Sequence, residues 1–247
     1  MNILLGIDLG GTKIEGIAIN AGCMNLQEIC RLRIQTESEL GYQHILQRLK
    51  EMAHMLAQKT GTKPSIIGLG HPGSEDPQTK TLKNSNTLCL NGQSLLQDLE
   101  SALGIQVAAA NDANCFALAE SRFGAGRGAQ IVFGVIMGTG VGGGIVVDGK
   151  VISGAQGIAG EWGHNVLDER GPRCYCGKSG CVETILSGPA LERFYAARTG
   201  AQVPLKVIAE HAAKHTDDAA VETIERLCCY FGRAIAAVVN ILDPDRI

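Results

Sequence analysis

The sequence predicts an α/β protein with two related halves, and two observations support this fold class. Apolar runs of strand length alternate with amphipathic, helix-like stretches along the chain. A unit of strand, glycine turn and strand also occurs twice, as GIDLGGTKIEGIAI and as GVIMGTGVGGGIVV. We therefore expect an N-terminal α/β domain over residues 1–112 and a C-terminal α/β domain over residues 113–247.

The first half contains strand and helix patterns in alternation. Apolar runs of strand length or less predict strands at Ile3–Asp8, Ile14–Ile19, Ile66–Leu69 and Gln106–Ala110. Between Gly41 and Gly61, apolar residues recur on one helical stripe, and Gly61 is a suitable C-cap. Further helices are predicted over Ser94–Leu103 and after Asp112.

The second half begins with strands and ends with helices. Strands are predicted at Ile131–Met137 and Ile145–Val147, with Asp148 and Gly149 forming the following hairpin turn. Ser187 is a suitable N-cap with Pro189 in the first turn of the next helix. Helical patterns then run to Arg198, from Leu205 to Lys214 and from Ala219 to Leu242.

Composition and charge exclude several classes of protein. The net charge is −3 and no apolar run is long enough to cross a bilayer, so we expect neither a nucleic-acid partner nor a membrane anchor. The N-terminus lacks the basic region of a secretion signal, which favours a cytoplasmic protein. Nine cysteines without such a signal favour reduced thiols, some of them holding a metal ion.

Two glycine-rich turns are candidates for phosphate binding. The first consists of Asp8, Gly10, Gly11, Thr12 and Lys13, and the second, over Gly138–Gly144, of Gly138, Thr139, Gly140, Gly142, Gly143 and Gly144. Glycine lets backbone amides approach an anion without a Cβ atom in between, and the Asp8 carboxylate could hold Mg²⁺ beside the phosphates. The alternative is that these are tight hairpins, the first with a surface lysine.

A metal site is the most specific local pattern. His164, Cys174, Cys176 and Cys181 lie within one short stretch, and Gly177 and Gly180 allow the chain to fold around an ion. One imidazole and three thiolates make a closed tetrahedral shell, so we expect structural Zn²⁺. The alternative is a set of buried, reduced thiols.

Three carboxylates near these motifs have two interpretations each. Glu161 and Glu183 flank the metal segment, where they could accept hydrogen bonds from sugar hydroxyls or be ordinary solvated acids. Asp112 follows a strand and precedes a helix, so it could be an N-cap or could accept the proton of an attacking hydroxyl.

The motifs DLGGTK, HPG, NDAN, GTGVGGG, EWGH and CYCGKSGCVE follow one another in this order. Their series resembles the ROK family of sugar kinases and repressors over essentially the whole chain. Within that family the likeness is greatest to bacterial fructokinases and manno(fructo)kinases.

The resemblance implies an actin-like (ribonuclease H-like) ATPase fold, with two α/β domains around a central cleft, usually in a homodimer. By position, Asp112 is similar to the base that deprotonates the hexose 6-hydroxyl for attack on the γ-phosphate of ATP. The sugar contacts that the resemblance implies are Gly73, Asn84, Asn111, Asp112, Glu161, His164 and Glu183.

The expected activity is therefore ATP-dependent phosphorylation of fructose or mannose, with Mg²⁺ accompanying ATP and Zn²⁺ in the loop. Glucose and N-acetylglucosamine are the alternative acceptors, and a sugar-sensing transcriptional regulator or a non-catalytic sugar-binding protein is the alternative of another class. Family regulators add a helix-turn-helix before the first strand; because Met1 lies only two residues before the predicted strand, we expect none here. In the family a glycine-rich strand and a helix follow the Asp-Pro that is Asp243 and Pro244 here, so we expect this chain to lack its last elements.

Overall fold

A computed structural model describes residues 3–22 and 26–247 of the chain. Over these residues it has strands β1 (Ile3–Leu9), β2 (Lys13–Asn20), β3 (Gln27–Gln35), β4 (Ile66–His71), β5 (Ser74–Glu75), β6 (Leu82–Lys83), β7 (Gln106–Asn111), β8 (Ile131–Met137), β9 (Val141–Val147) and β10 (Lys150–Val151). The helices are α1 (Tyr42–Thr60), α2 (Leu95–Leu103), α3 (Asp112–Phe123), α4 (Val182–Leu186), α5 (Gly188–Thr199), α6 (Leu205–Ala213) and α7 (Asp218–Leu242). None of these helices combines the length and the apolar character of a bilayer span.

The larger sheet has the strand order β3-β2-β1-β4-β7. β1, β2 and β3 pair antiparallel, whereas β1, β4 and β7 are parallel. Leu5, Ile7 and Leu9 alternate along β1 and are buried, as expected for side chains on one face of a strand. The parallel strands therefore bring their carboxyl ends to one edge of the sheet.

The amphipathic helix predicted between Gly41 and Gly61 is confirmed as α1. Its stripe of Ile45, Leu49, Met52 and Leu56 is fully buried, and Gly61 ends the helix with a left-handed φ of 63°. A Cβ atom at Gly16 of β2 would lie 2.4 Å from Met52 Sδ, so this glycine lets the helix pack directly on the sheet.

A three-stranded sheet has the order β10-β9-β8 and a separate core, and β5 and β6 form a two-stranded sheet. The rings of Phe133 and Trp162 meet edge to face at 5.8 Å, and Ile185 of α4 and Ala234 of α7 pack in the same cluster. Asp217 caps α7 by accepting hydrogen bonds from the backbone N–H groups of Ala219 and Ala220.

The chain forms two compact units. One includes β1 to β7 and continues to Cys115, with Gly154–Ile158 added; the other consists of Phe116–Ser153 and Ala159–Ile247. The predicted division into domains over residues 1–112 and 113–247 stays a prediction.

Candidate functional site

The first glycine turn joins β1 to β2 and is fixed by a residue that sequence analysis missed. Thr36 is fully buried; its Oγ1 donates to Gly10 O at 2.7 Å, and its backbone N–H donates to Thr12 O at 3.0 Å. The Gly10 carbonyl therefore points towards Thr36. Because the peptide bond is trans, the N–H of Gly11 points the opposite way, as an anion-binding amide must.

Asp8 lies at the end of β1, next to this turn. It pairs with Gly70 of β4, which in turn pairs with Ala110 of β7, two residues before Asp112. Partial burial raises the pKa of Asp8, and the carboxylates of Asp112 and Glu15 raise it further. Neighbouring carboxylates that repel one another favour a bound cation, and oxygen donors suit Mg²⁺. These residues fit the metal predicted for the site.

Asp112 is the first residue of α3, and the residue before it, Asn111, caps the helix. Asn111 Oδ1 accepts from the N–H groups of Ala113 at 2.9 Å and Asn114 at 3.3 Å. Asn111 is therefore the N-cap, and the alternative that Asp112 is the cap is wrong. Its carboxylate remains solvent-accessible at the positive end of the helix dipole.

Gly73, Asn84 and Asn111 lie close together. Asn111 Nδ2 donates to Gly73 O at 2.9 Å. Gly73 has φ +80°, and a Cβ atom there would lie 2.6 Å from Lys83 O and 2.8 Å from Ser85 N, the residues on either side of Asn84. The structure thus groups these three predicted sugar contacts beside Asp112.

His71 is a second buried residue that sequence analysis missed, because it used the HPG motif only for Gly73. It is 4% exposed and lies opposite Asn111 in the pairing of β4 with β7. Burial lowers the pKa of His71, although Pro72 O and the Asp112 carboxylate oppose this change. Partial burial raises the pKa of Asp112, against the opposing effects of the Ala113 N–H and His71.

The second glycine turn joins β8 to β9 and is held at both ends. Gly188 N donates to Gly138 O at 2.8 Å, and Val141 N donates to Glu183 Oε2 at 2.9 Å. A Cβ atom at Gly140 would lie 2.5 Å from Glu183 Oε2, so only glycine fits there without displacing the carboxylate. The Thr139 N–H points away from Gly188, as the Gly11 N–H points away from Thr36.

The predicted extent of this turn, Gly138–Gly144, is wrong. Gly142, Gly143 and Gly144 lie in β9, and Gly144 pairs with Gly134 of β8. A Cβ atom at Gly143 would lie 2.7 Å from the Trp162 ring, so that glycine makes room for the core. A role for these three residues in ATP binding stays a prediction.

His164, Cys174, Cys176 and Cys181 place their ligand atoms within 4.8 Å of one another. The Sγ atoms of Cys176 and Cys181 are 3.6 Å apart, close to the separation of about 3.8 Å that Zn–S bonds of about 2.3 Å give in a tetrahedron. Gly180 has φ +65°, and a Cβ atom there would lie 1.5 Å from Asp168 O. Both the donor set and the loop geometry fit Zn²⁺.

Tyr175 lies inside the metal loop and was not singled out by sequence analysis. Its hydroxyl is 3.2 Å from His164 Nε2, and the two rings meet edge to face at 5.2 Å. Partial burial raises the pKa of Tyr175, and Glu183, Cys174 and Glu161 raise it further.

A cavity of about 490 Å³ adjoins the second glycine turn. Its lining is mostly apolar and comes from β8, the turn and helices α4 to α7: Met137, Gly138, Thr139, Leu186, Gly188, Pro189, Leu191, Glu192, Leu205 and Leu227. A planar heterocycle fits a cavity of this size and character.

The predicted residues thus form two groups. Asp8, the first turn, Gly73, Asn84, Asn111 and Asp112 belong to the first unit, and the second turn, Glu161, His164 and Glu183 belong to the second. That both groups act on one ligand stays a prediction.

Comparison with known proteins gives consistent matches. The model of the ROK family matches residues 4–247. The chain is 36% identical to the N-acetyl-D-glucosamine kinase of Aliivibrio fischeri, over 97% of this chain and 80% of the relative. It is 33% identical to the glucokinase of Thermotoga maritima, over 98% and 79%. A ROK family glucokinase from Streptomyces griseus, solved with glucose and AMPPNP, matches with a TM-score of 0.82 and 28% identity, over 98% and 81%.

Proposed function

The chain belongs to the ROK family and has its actin-like ATPase fold, and from this premise we propose that it transfers the γ-phosphate of ATP to the 6-hydroxyl of a hexose. Its similarity to named sugar kinases over most of its length supports this activity. The observation that carries the proposal is the placement of Asp112: Asn111 caps α3, which leaves the Asp112 carboxylate accessible at the helix N-terminus.

In the proposed reaction Asp112 is the general base. The 6-oxygen of the hexose attacks the γ-phosphorus while the bond from that phosphorus to the oxygen of the leaving ADP breaks. The hydroxyl proton passes to the Asp112 carboxylate, which must be ionised to accept it. Asn111 holds the backbone next to Asp112 in place, since its side chain accepts a hydrogen bond from Ala113 N and donates one to Gly73 O.

The two glycine turns are proposed to bind the phosphates. In the first turn the Gly11 N–H points away from the anchoring residue Thr36. In the second turn the Thr139 N–H points away from the anchoring residue Gly188. Mg²⁺ held near Asp8 would neutralise charge on the phosphates. The cavity beside Thr139 would then accommodate the adenine base.

The zinc loop is proposed to be structural. The four predicted ligands fill a tetrahedral shell, so bound Zn²⁺ would fold the loop and leave no position for a reacting water. The loop carries His164 and leads directly into α4, whose second residue is Glu183. Folding the loop therefore positions two of the proposed sugar contacts.

Glucose or N-acetylglucosamine is the proposed acceptor, because the relatives described above are named for these sugars. Those names do not support the fructose or mannose expected from the sequence. Fructose and mannose nevertheless belong in the test, because a single protein contact can decide between epimeric hexoses such as glucose and mannose.

A coupled assay of ADP formation with glucose, N-acetylglucosamine, fructose and mannose tests the proposal. We expect turnover that depends on Mg²⁺ and a hexose, highest with glucose or N-acetylglucosamine. Arg233→Gln changes a residue of α7 that has no proposed role in binding or catalysis, so it is the control for activity lost during preparation of a variant. Hexose binding without ADP formation would overturn the kinase proposal and favour a sugar-binding regulator; highest turnover with fructose or mannose would overturn only the proposed acceptor.

A further inference from the structure

Thr87 carries a hydroxyl that the described part of the protein does not use. Thr87 is only 7% exposed, and its backbone is bonded on both sides: its N–H donates to Ser85 Oγ at 3.1 Å, and its carbonyl accepts from Leu90 N at 3.0 Å. It is the N-cap of the short 3₁₀ helix Leu88–Leu90, where a threonine hydroxyl commonly accepts a backbone hydrogen bond, but this one does not. Within the described part of the chain Thr87 Oγ1 has no hydrogen-bond partner.

This hydroxyl lies against the first glycine turn. A Cβ atom at Gly11 would lie 3.3 Å from Thr87 Oγ1, so this oxygen is beside the main chain of Gly11. Gly11 itself is exposed, and its N–H points away from the anchoring residue Thr36. The Thr87 hydroxyl and the Gly11 N–H are therefore two donors available to a ligand at one exposed position.

Neighbouring side chains fix the position of the Thr87 hydroxyl. Asn91 holds Ser85, since its Oδ1 accepts from Ser85 N at 2.9 Å and its Nδ2 donates to Ser85 O at 3.0 Å. Ser85 Oγ in turn accepts from Thr87 N. Two residues after Thr87, Cys89 Sγ donates to Ser38 O at 3.6 Å, in the segment that follows β3. The hydroxyl is therefore held in place before a ligand binds, which lowers the entropic cost of binding.

The position of the turn in the sheet indicates which phosphate it binds. Asp8 begins the turn and pairs with Gly70 of β4. Gly70 pairs with Ala110 of β7, two residues before Asp112. The turn therefore starts at the sheet edge that carries the proposed general base. Because Asp112 takes the proton of the hydroxyl that attacks the γ-phosphorus, we assign the phosphate at this turn as the terminal one.

We propose that Thr87 is a further phosphate-binding residue, whose hydroxyl donates to a γ-phosphate oxygen of ATP beside the Gly11 N–H. This inference rests on the proposed function, which supplies the nucleotide and the role of Asp112. A hydrogen bond from a hydroxyl to a phosphate oxygen is charge-assisted and stronger than one between neutral groups. The bond also satisfies a hydroxyl in a nearly buried side chain, which costs free energy while it has no partner.

A purely structural role for Thr87 makes a different prediction about stability. Thr36→Val breaks a hydrogen bond inside the protein, whereas Thr87→Val removes a hydroxyl that has no partner in the described chain. Replacing an unpaired, nearly buried hydroxyl by a methyl group is neutral or stabilising. We therefore expect Thr87→Val without nucleotide to unfold at the same denaturant concentration as the wild type, or at a higher one.

The test measures nucleotide affinity by titration calorimetry with Mg²⁺ present. AMPPNP, an ATP analogue whose terminal phosphate is not transferred, is compared with ADP, which lacks the γ-phosphate. Thr87→Val keeps the shape of the side chain, and Thr87→Ser keeps the hydroxyl. Thr79→Val, at an exposed threonine of the same unit, is the control for loss of a hydroxyl elsewhere.

For Thr87→Val we expect the Kd for AMPPNP to rise about tenfold or more, as for the loss of one charge-assisted hydrogen bond, and the Kd for ADP to stay within about twofold. Thr87→Ser should bind AMPPNP more tightly than Thr87→Val, and Thr79→Val should bind it like the wild type. An unchanged Kd for AMPPNP, an equal rise for ADP, or lower stability in Thr87→Val would overturn the inference. So would an equal loss in Thr87→Ser or Thr79→Val, or a wild-type protein that binds no AMPPNP.

ADP formation tests the proposed function separately. If the wild type binds AMPPNP more tightly than Thr87→Val does but phosphorylates no hexose, the proposed function fails and the contact of Thr87 with the terminal phosphate stands. If hexose phosphorylation is observed while Thr87→Val binds AMPPNP normally, only the inference about Thr87 fails.

Discussion

Val141 donates its backbone N–H to Glu183 Oε2 over 2.9 Å. One carboxylate oxygen of a proposed sugar contact thus also supports the second glycine turn. Glu183 follows Cys181, a predicted zinc ligand, by two residues. The segment that carries the proposed zinc ligand and the proposed sugar contact is therefore hydrogen-bonded to the proposed phosphate turn.

The first prediction concerns this shared role of Glu183. Glu183→Ala removes both the acceptor for Val141 N and the proposed sugar contact, so we expect KM to rise about tenfold or more for both ATP and the hexose. Glu183→Gln keeps an oxygen that can accept from Val141, so its KM for ATP should rise less. Steady-state kinetics with each substrate varied in turn gives both values. A rise confined to the sugar KM in the alanine variant would show that the support of the turn is unimportant.

The second prediction concerns Thr36. Thr36→Val keeps the shape of the side chain but removes the hydroxyl that donates to Gly10 O. We expect a loss in the free energy of unfolding of about 1 to 3 kcal/mol and a higher KM for ATP, with sugar affinity unchanged. Thr79→Val, at an exposed position, is the control. Denaturant unfolding and kinetics measure the two effects; if ATP binding is normal in Thr36→Val, the anchoring of the first turn is not needed for phosphate binding.

The third prediction concerns the metal. We expect one tightly held zinc ion per chain, and Cys176→Ser should lose it together with sugar affinity. Cys228→Ser, an exposed cysteine on α7, should lose neither. Elemental analysis and Trp162 fluorescence give both results. Wild-type protein without zinc, or a Cys176→Ser variant with normal zinc and sugar binding, would exclude a structural zinc site.

The fourth prediction concerns pH. Partial burial raises the pKa of Asp112 above that of a free aspartic acid, and the base acts only as the anion. As pH falls, protonation therefore begins at a higher pH than for a free aspartic acid, and kcat should fall with it. A kcat profile on the acid side of neutrality tests this, with Trp162 fluorescence to confirm that the protein is folded at each pH. If kcat in folded protein falls to half only at about pH 3.9 or below, as for a free aspartic acid, Asp112 is not a base with a raised pKa.

Much of the fold could be predicted because its signals are local. The stripe of α1, the Asp148 and Gly149 turn and the cysteine spacing each depend on neighbouring residues, and the structure agrees with all three. β3 was missed although Cys30, Leu32 and Ile34 alternate with Arg31 and Arg33 along it. That alternation was a usable signal, and with it Thr36 at the end of the strand could have been noticed.

Other features could not be predicted because they depend on partners distant in sequence. Trp162 occupies the space that a side chain at Gly143 would need, and the carboxylate oxygen next to Gly140 comes from Glu183. The amide of the N-cap Asn111 also donates to Gly73 O, and Gly73 lies 38 positions earlier in the chain. The burial of a cysteine outside the metal loop depends on distant partners as well: Cys228 and Cys229 are exposed on α7, and Cys23 lies outside the described residues.

The most direct test of the account is Asp112→Asn, compared with the wild type for hexose affinity and for turnover. Asparagine keeps the size of the side chain but cannot take up the hydroxyl proton. We expect the sugar Kd to stay within a few-fold of the wild type and kcat to fall by about 10²-fold to 10⁴-fold, the usual effect of losing a general base. Near-normal turnover in this variant, with hexose bound, would contradict the central claim that Asp112 accepts the proton in phosphate transfer.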